Sequence, residues 1–392
     1  MPHRRPSKKH RTIISCLLLV TLCGFSLGLR EASAVSPYPA ADGFRYYVLS
    51  RADFPMLYGT ILKQGQFASF VKAAEPAFPI PALAEGFVPQ GMAYSEELGW
   101  FVLAYYFPER ARPSLLALVD AATGEWVKQV YLLRPNGTPY TGHAGGAAAW
   151  GEHVWVTSGG VAYRLAADDL RQAEDRGTVR FRDIFRVGTR GSIATAADGV
   201  LWVGDFYNAG RDPDYFELQE DPSSGNFAWM AGFTLCENAP MGVKGLQRSG
   251  DSPAPFAVLS IPHRAQGLTL ATTGELLLST SLTTRRPSSL WVFPNLRGIL
   301  AQPPAYEVAI GQHTAPLWVI SEDMATYRQA LAPMSEGIAQ YNGEIYVLFE
   351  SAALMYRERA VLFADYVFKV AEEKIMAREI EDAAGREEKD FD

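Results

Sequence analysis

Cysteine is nearly missing from this 392-residue chain: there are three, and Cys16 and Cys23 fall within the first 34 residues. Beyond residue 34 only Cys236 remains, so no internal disulfide can form there. Stability has to come from burial, and a chain of this length can bury a large core. Histidine is scarce too. His143, His153, His263 and His313 are those beyond residue 34, too few for a multi-histidine metal centre, and His153 falls in a hairpin and is expected at the surface. Several catalytic signatures are absent: a Gly-x-Ser-x-Gly elbow, a His-Glu-x-x-His helix, a phosphate-binding loop and a paired-cysteine motif. No apolar run beyond residue 34 is long enough to span a bilayer. Basic residues are in the minority, 36 against 43 acidic ones. A chain of net charge −7 has no broad basic surface for nucleic acid or anionic lipid, although a local basic pocket is still open to it.

At the N-terminus Arg4, Arg5, Lys8, Lys9 and Arg11 precede an apolar run from Ile13 to Leu29, and Ala32-Ser33-Ala34 follows. A basic head, an apolar centre and a small-x-small exit describe a secretory signal peptide over residues 1–34. Left uncut, the same run would be an N-terminal anchor. The expectation is a secreted or periplasmic protein, monomeric, with no other attachment to a membrane.

Five segments then share one pattern: a Gly-containing turn, a short apolar strand, a tight turn and a second, more apolar strand. They begin at Pro89-Gln90-Gly91-Met92, His143-Ala144-Gly145-Gly146, Gly191-Ser192-Ile193, Ala265-Gln266-Gly267-Leu268 and Ser335-Glu336-Gly337-Ile338. Gly151-Glu152, Asp198-Gly199, Thr273-Gly274 and Asn342-Gly343 supply hairpin turns. The second strands, such as Leu201-Trp202-Val203 and Leu276-Leu277-Leu278, are continuously apolar, as strands covered on both faces are. Ser114 to Asp120, Trp126 to Leu133, Ser289 to Phe293 and Asp365 to Val370 read as outer strands. Inner hairpins with outer strands, repeated radially, make an all-β propeller over residues 35–370. Five blades are counted, and Asp212 to Ala265 is long enough to hold a sixth. A stacked sandwich or a pair of β-domains is the competing architecture. Phe44 to Leu49 and Leu57 to Leu62 are the expected N-terminal strands that close the ring. Residues 371–392, with nine acidic and four basic residues, read as a short helical or disordered tail.

In such a ring the turns into the innermost strands converge on one mouth of the channel, and convergent polar groups above a pocket suggest a ligand site. Gln90, His143, Ser192, Gln266 and Glu336 share that rim, with Arg190 and Arg264 just before two of the turns. Asp205, at the end of a second strand, faces a loop or the outer part of a cleft. Each residue also has a plain structural use. Glu336 can accept backbone hydrogen bonds, the glutamines can tie blades together, and His143 can be a donor in a glycine-rich turn.

Pro89-Gln90-Gly91-Met92-Ala93 and Ala265-Gln266-Gly267-Leu268-Thr269 resemble the Pro-Asn-Gly-Leu-Ala turn of the gluconolactonase and strictosidine-synthase-like propellers. Ser335-Glu336-Gly337 is similar to that family's Glu-Gly turn. The resemblance implies that Glu336 binds a divalent cation, calcium-like, with Asp205 as the loose match to a second ligand. It departs from the family where Gln replaces the ligand Asn.

Three functions follow as expectations. The first is binding of a small polar or carbohydrate-like ligand through Gln90, His143, Gln266 and Glu336, with Arg264 for an anionic part. The second is a metal-assisted lactonase or esterase, with Glu336 and Asp205 or Gln266 on the ion and His143 as general base. The third is an extracellular protein-interaction scaffold.

Overall fold

The repeated hairpins form five β-sheets set around one channel. The computed structural model describes residues 70, 73–208, 224–239, 241–360 and 362–376. The signal segment, the Phe44–Leu49 and Leu57–Leu62 strands and residues 377–392 of the tail lie outside the described residues.

The first described strand, β1 (Glu75–Pro79), belongs to the last blade. Blade 1 runs outward as β2 (Val88–Ser95), β3 (Trp100–Tyr106), β4 (Leu115–Asp120) and β5 (Trp126–Leu133). Blade 2 starts with β6 (Gly146–Trp150), β7 (His153–Ser158) and β8 (Val161–Ala166), followed by a short helix α1 (Ala167–Gln172). The chain then crosses over: β9 (Thr178–Arg180) adds in parallel to the outer edge of β5 in blade 1. β10 (Asp183–Arg186) returns to complete blade 2 against β8.

Blade 3 is β11 (Ile193–Ala197), β12 (Val200–Gly204), β13 (Ala228–Thr234) and β14 (Ala257–Ile261). The stretch that was long enough for a sixth blade therefore supplies, in its described part, the third and fourth strands of blade 3. Blade 4 has β15 (Ala265–Leu270), β16 (Glu275–Thr280) and β17 (Ser288–Asn295), then helix α2 (Leu296–Leu300). Here too the chain crosses back. The hairpin β18 (Tyr306–Ile310) and β19 (His313–Val319) extends blade 3, with β19 parallel to β14. β20 (Tyr327–Leu331) then closes blade 4. Blade 5 is β21 (Ser335–Tyr341), β22 (Glu344–Phe349) and β23 (Tyr366–Ala371), with β1 as its outer strand.

Each innermost strand packs beside the next, β2 on β6, β6 on β11, β11 on β15, β15 on β21 and β21 on β2, so the ring of five blades is closed. β1, the first described strand, joins the last, pairing Glu75 with Lys369. The closing strand is thus Glu75–Pro79. Its two prolines are tolerated because an edge strand can leave N–H positions unpaired. After β23, helix α3 (Glu372–Met376) begins the tail. Its Glu372 accepts hydrogen bonds from Thr272 N and Oγ1 at 3.1 Å or slightly more, tying the helix to the β15–β16 turn.

The second strands are apolar because neighbouring blades cover both faces. Trp155, Trp202 and Trp229 are fully buried between blades 2, 3 and 4. The tight turns use the backbone the sequence implied. Asp198 and Gly199 have φ of 54° and 73°, and Asn342 and Gly343 have 51° and 74°, the mirror-image turn that suits twisted hairpins.

His153 differs from its expected place at the surface. It is buried, with Arg164 Nη1 3.3 Å from its Nδ1 and Asp183 holding the guanidinium from the other side. Burial, followed by the Arg164 charge, lowers its pKa to about 4. The unfolded chain takes a proton on this side chain near pH 6.5, while the folded chain refuses it down to about 4. Stability is therefore lost as pH falls through that window, by about 2 kcal/mol. Denaturant midpoints measured from pH 7 to pH 4 should fall, and His153→Gln should reduce the fall.

Candidate functional site

Three of the five innermost strands begin with a β-bulge. Pro89 pairs with Tyr105 and Met92 with Leu103, leaving Gln90-Gly91 opposite one residue. The same break lies between Ala265 and Gly267 and between Ser335 and Ile338. A bulge turns a side chain out of the strand's alternation. Here it releases Gln90, Gln266 and Glu336, the three polar residues the sequence picked out at these turns.

The glycine after each of them has a packing cause. A Cβ on Gly337 would lie 2.4 Å from Met92 N, and one on Gly91 would lie 2.5 Å from Ala147 N. Neighbouring blades touch backbone to backbone at the channel, and only hydrogen fits between them.

Glu336 is 1% exposed, and its Oε1 accepts a 2.8 Å hydrogen bond from Gln266 Nε2. Its second partner is Glu350, the residue just after β22, with which it shares a side-chain hydrogen bond. Two carboxyl groups bonded to each other need a proton between them. Burial raises the Glu336 pKa well above the ordinary carboxyl value, and the charge of Glu350 and the hydrogen bond to it raise it further. Glu350 Oε2 in turn accepts from Gln90 Nε2 at 2.8 Å, while the same amide donates to Pro89 O. The chain Gln266–Glu336–Glu350–Gln90 thus spans blades 4, 5 and 1. Beneath it, Ser279 Oγ and Ser335 Oγ share a buried hydrogen bond of 2.7 Å.

Tyr106, at the end of β3, borders this pair. Burial raises its pKa, and so do Glu350, Tyr356 and Glu336, which keeps the phenol protonated. Its hydroxyl lies 3.3 Å from that of Tyr356. His143 is exposed and stacks on the Tyr106 ring, with centroids 4.4 Å apart and planes 23° apart. The strand register gives the Gln90 position in blade 2 to Gly145, so His143 reaches the rim through Tyr106.

The remaining sequence candidates stand apart from this chain of contacts. Ser192 is half-buried at the start of β11, and its N–H donates to Gly204 O. Asp205 is fully buried in blade 3 and accepts from Arg190 N through Oδ1 at 2.5 Å. Arg190 and Arg264 are exposed. Arg264 has a φ of 65°, and its N–H donates to Tyr207 O. Among the described residues, no three His, Cys, Asp or Glu side chains converge as metal ligands would. Glu336 and Asp205 belong to blades 5 and 3, and each has the partners named above. The residues that sequence reasoning missed are Glu350 and Tyr106. Their one signal was position, since each closes or follows a second strand, where Asp205 had been noticed.

No protein-family model matches the chain, and no curated protein matches it. Some solved structures are distantly similar. Glutaminyl cyclase from Myxococcus xanthus is 11% identical, with a TM-score of 0.38, over 76% of this chain and 94% of that one. The PQQ-bound aldose sugar dehydrogenase from Streptomyces coelicolor is 13% identical, with a TM-score of 0.36, over 76% and 96%. The chain is a five-bladed β-propeller by its own strand order and ring closure.

Proposed function

We propose that the chain binds a small polar, carbohydrate-like ligand at the channel mouth built on Gln90, Gln266, Glu336 and Glu350. The observation that carries this reading is the hydrogen-bonded chain of two carboxamides and a proton-sharing carboxyl pair contributed by three blades. Amides and a half-protonated carboxyl pair both donate and accept, as sugar hydroxyls do. The stacked Tyr106 and His143 rings add a flat face of the kind a pyranose covers. Arg264, exposed just before β15, is the group available to an acidic substituent. The N-terminal pattern supports export, which would bring the mouth to extracellular or periplasmic solutes.

The test is calorimetric titration with neutral mono- and disaccharides and with uronates. At least one is expected to bind saturably. Glu336→Gln keeps the shape and removes the shared proton, and should weaken that binding about tenfold with little change in folding. Unchanged affinity in Glu336→Gln, or no saturable binding across the panel, would overturn the proposal.

A further inference from the structure

The far end of the channel carries a cavity that none of Gln90, Gln266, Glu336 and Glu350 lines. It has a volume of about 510 Å³, within the range of small-ligand pockets, and opens on the face of the inner hairpins. All five blades line it with the last residues of their innermost strands, from Tyr94 in blade 1 to Gln340 in blade 5. Glu336 and Glu350 are not part of it.

Its walls are aromatic as well as polar. Tyr94 and Trp150 contribute from adjacent blades, Thr195 and Thr269 bring hydroxyls, Glu96 stands at the rim, and Asp198 and Arg297 line it as a mutually neutralising pair. The Glu96 carboxylate is close enough to the Tyr94 phenol to help raise its pKa, after burial and Tyr341. Around this opening every inner hairpin carries an acid: Glu96 and Glu97, Glu152, Asp198, Glu275 and Glu344. Arg171 pairs with Glu97, Arg297 with Asp198 and Lys369 with Glu344. Glu96, Glu152 and Glu275 make no ion pair among the described residues. The cavity is the site, and the surrounding charge decides the sign of what it accepts. A recess with low-dielectric walls and a negative rim concentrates cations, and aromatic faces stabilise them further.

We propose that this cavity is a binding site for a small organic cation, an amine or quaternary ammonium compound. Glu96 meets the charge, and Tyr94 and Trp150 supply the aromatic wall.

The experiment titrates the intact protein with choline, with benzylamine and with benzyl alcohol as benzylamine's neutral counterpart. An ammonium probe should bind saturably, benzylamine should bind about tenfold tighter than benzyl alcohol, and raised salt should weaken the binding. Glu96→Lys alters an exposed rim residue and should weaken ammonium binding about tenfold or more, whereas Glu336→Gln should leave it unchanged. Thr195→Lys, which brings a cation into the cavity, should act as Glu96→Lys does. Equal affinity for the alcohol, indifference to both lysine variants, or loss of binding in Glu336→Gln would overturn the assignment. Because sugar binding is read at the other mouth, failure of one proposal is distinguishable from failure of the other.

Discussion

Gly337→Ala is expected to destabilise the propeller by about 3 kcal/mol or more, because the added methyl group would sit 2.4 Å from Met92 N. Backbone cannot step aside as a flexible side chain can. The contact is also where the ring closes, since Gly337 lies on β21 of blade 5 and Met92 on β2 of blade 1. Relief would mean moving the last blade off the first. The matched control is Gly343→Ala, in the β21–β22 turn, where a Cβ would meet nothing within 4 Å. That glycine has a φ of 74°, so its replacement carries only the backbone cost of a left-handed residue, about 1 kcal/mol. Chemical denaturation of both variants should rank them in this order, with the Gly337 variant also the poorer in soluble yield. Equal stabilities would mean that the innermost strands are not in backbone contact.

The second large effect concerns Glu336, and its sign depends on the residue put in its place. In the unfolded chain this carboxyl loses its proton near pH 4.5; in the folded chain it holds the proton to a much higher pH. As pH rises above 4.5 the unfolded state therefore gains relative to the folded one, and stability falls until the folded pKa is passed. Glutamine removes that dependence and still accepts from Gln266 Nε2 while donating to Glu350. Glu336→Gln should thus be at least as stable as the parent at pH 8, with a flatter stability profile on the alkaline side. Glu336→Ala leaves the Gln266 amide and the Glu350 carboxyl without their shared partner and opens a hole beside the channel. It should cost about 2–3 kcal/mol. Thermal melts of both variants from pH 4 to pH 9 separate the two behaviours. This trend runs opposite to that of His153, which weakens the fold on the acid side. The two groups together confine maximal stability to mildly acidic or near-neutral solution.

The blades could be read from the chain because each inner hairpin is local: two strands, a glycine-containing tight turn such as Asp198-Gly199 or Asn342-Gly343, and an apolar second strand. The three bulge residues Gln90, Gln266 and Glu336 were legible for the same reason, each preceding a glycine at the start of a repeat. What escaped notice is non-local. β9 and the β18–β19 hairpin leave their own blades to pair in parallel with a neighbour, and a parallel pairing has no turn to announce it. The closing strand Glu75–Pro79 looks like a loop because of Pro76 and Pro79. Its strand character comes from β23 rather than from its own residues. Glu350 was hidden because its partners Gln90 and Glu336 meet it only when the ring closes, 260 residues separating it from Gln90. His143 appeared equivalent to Gln90 because it opens a glycine-rich turn into the innermost strand, but the register of β6 with β7 starts at Gly146 and gives the equivalent place to Gly145.

The most direct measurement is carbon NMR of the glutamate side-chain carboxyls, titrated with pH and repeated with a saccharide that binds. The account predicts one resonance, missing in Glu336→Gln, that titrates far above the ordinary carboxyl range and shifts when the sugar is added. A spectrum in which every glutamate titrates normally, or in which the Glu336 resonance ignores a bound sugar, would contradict it.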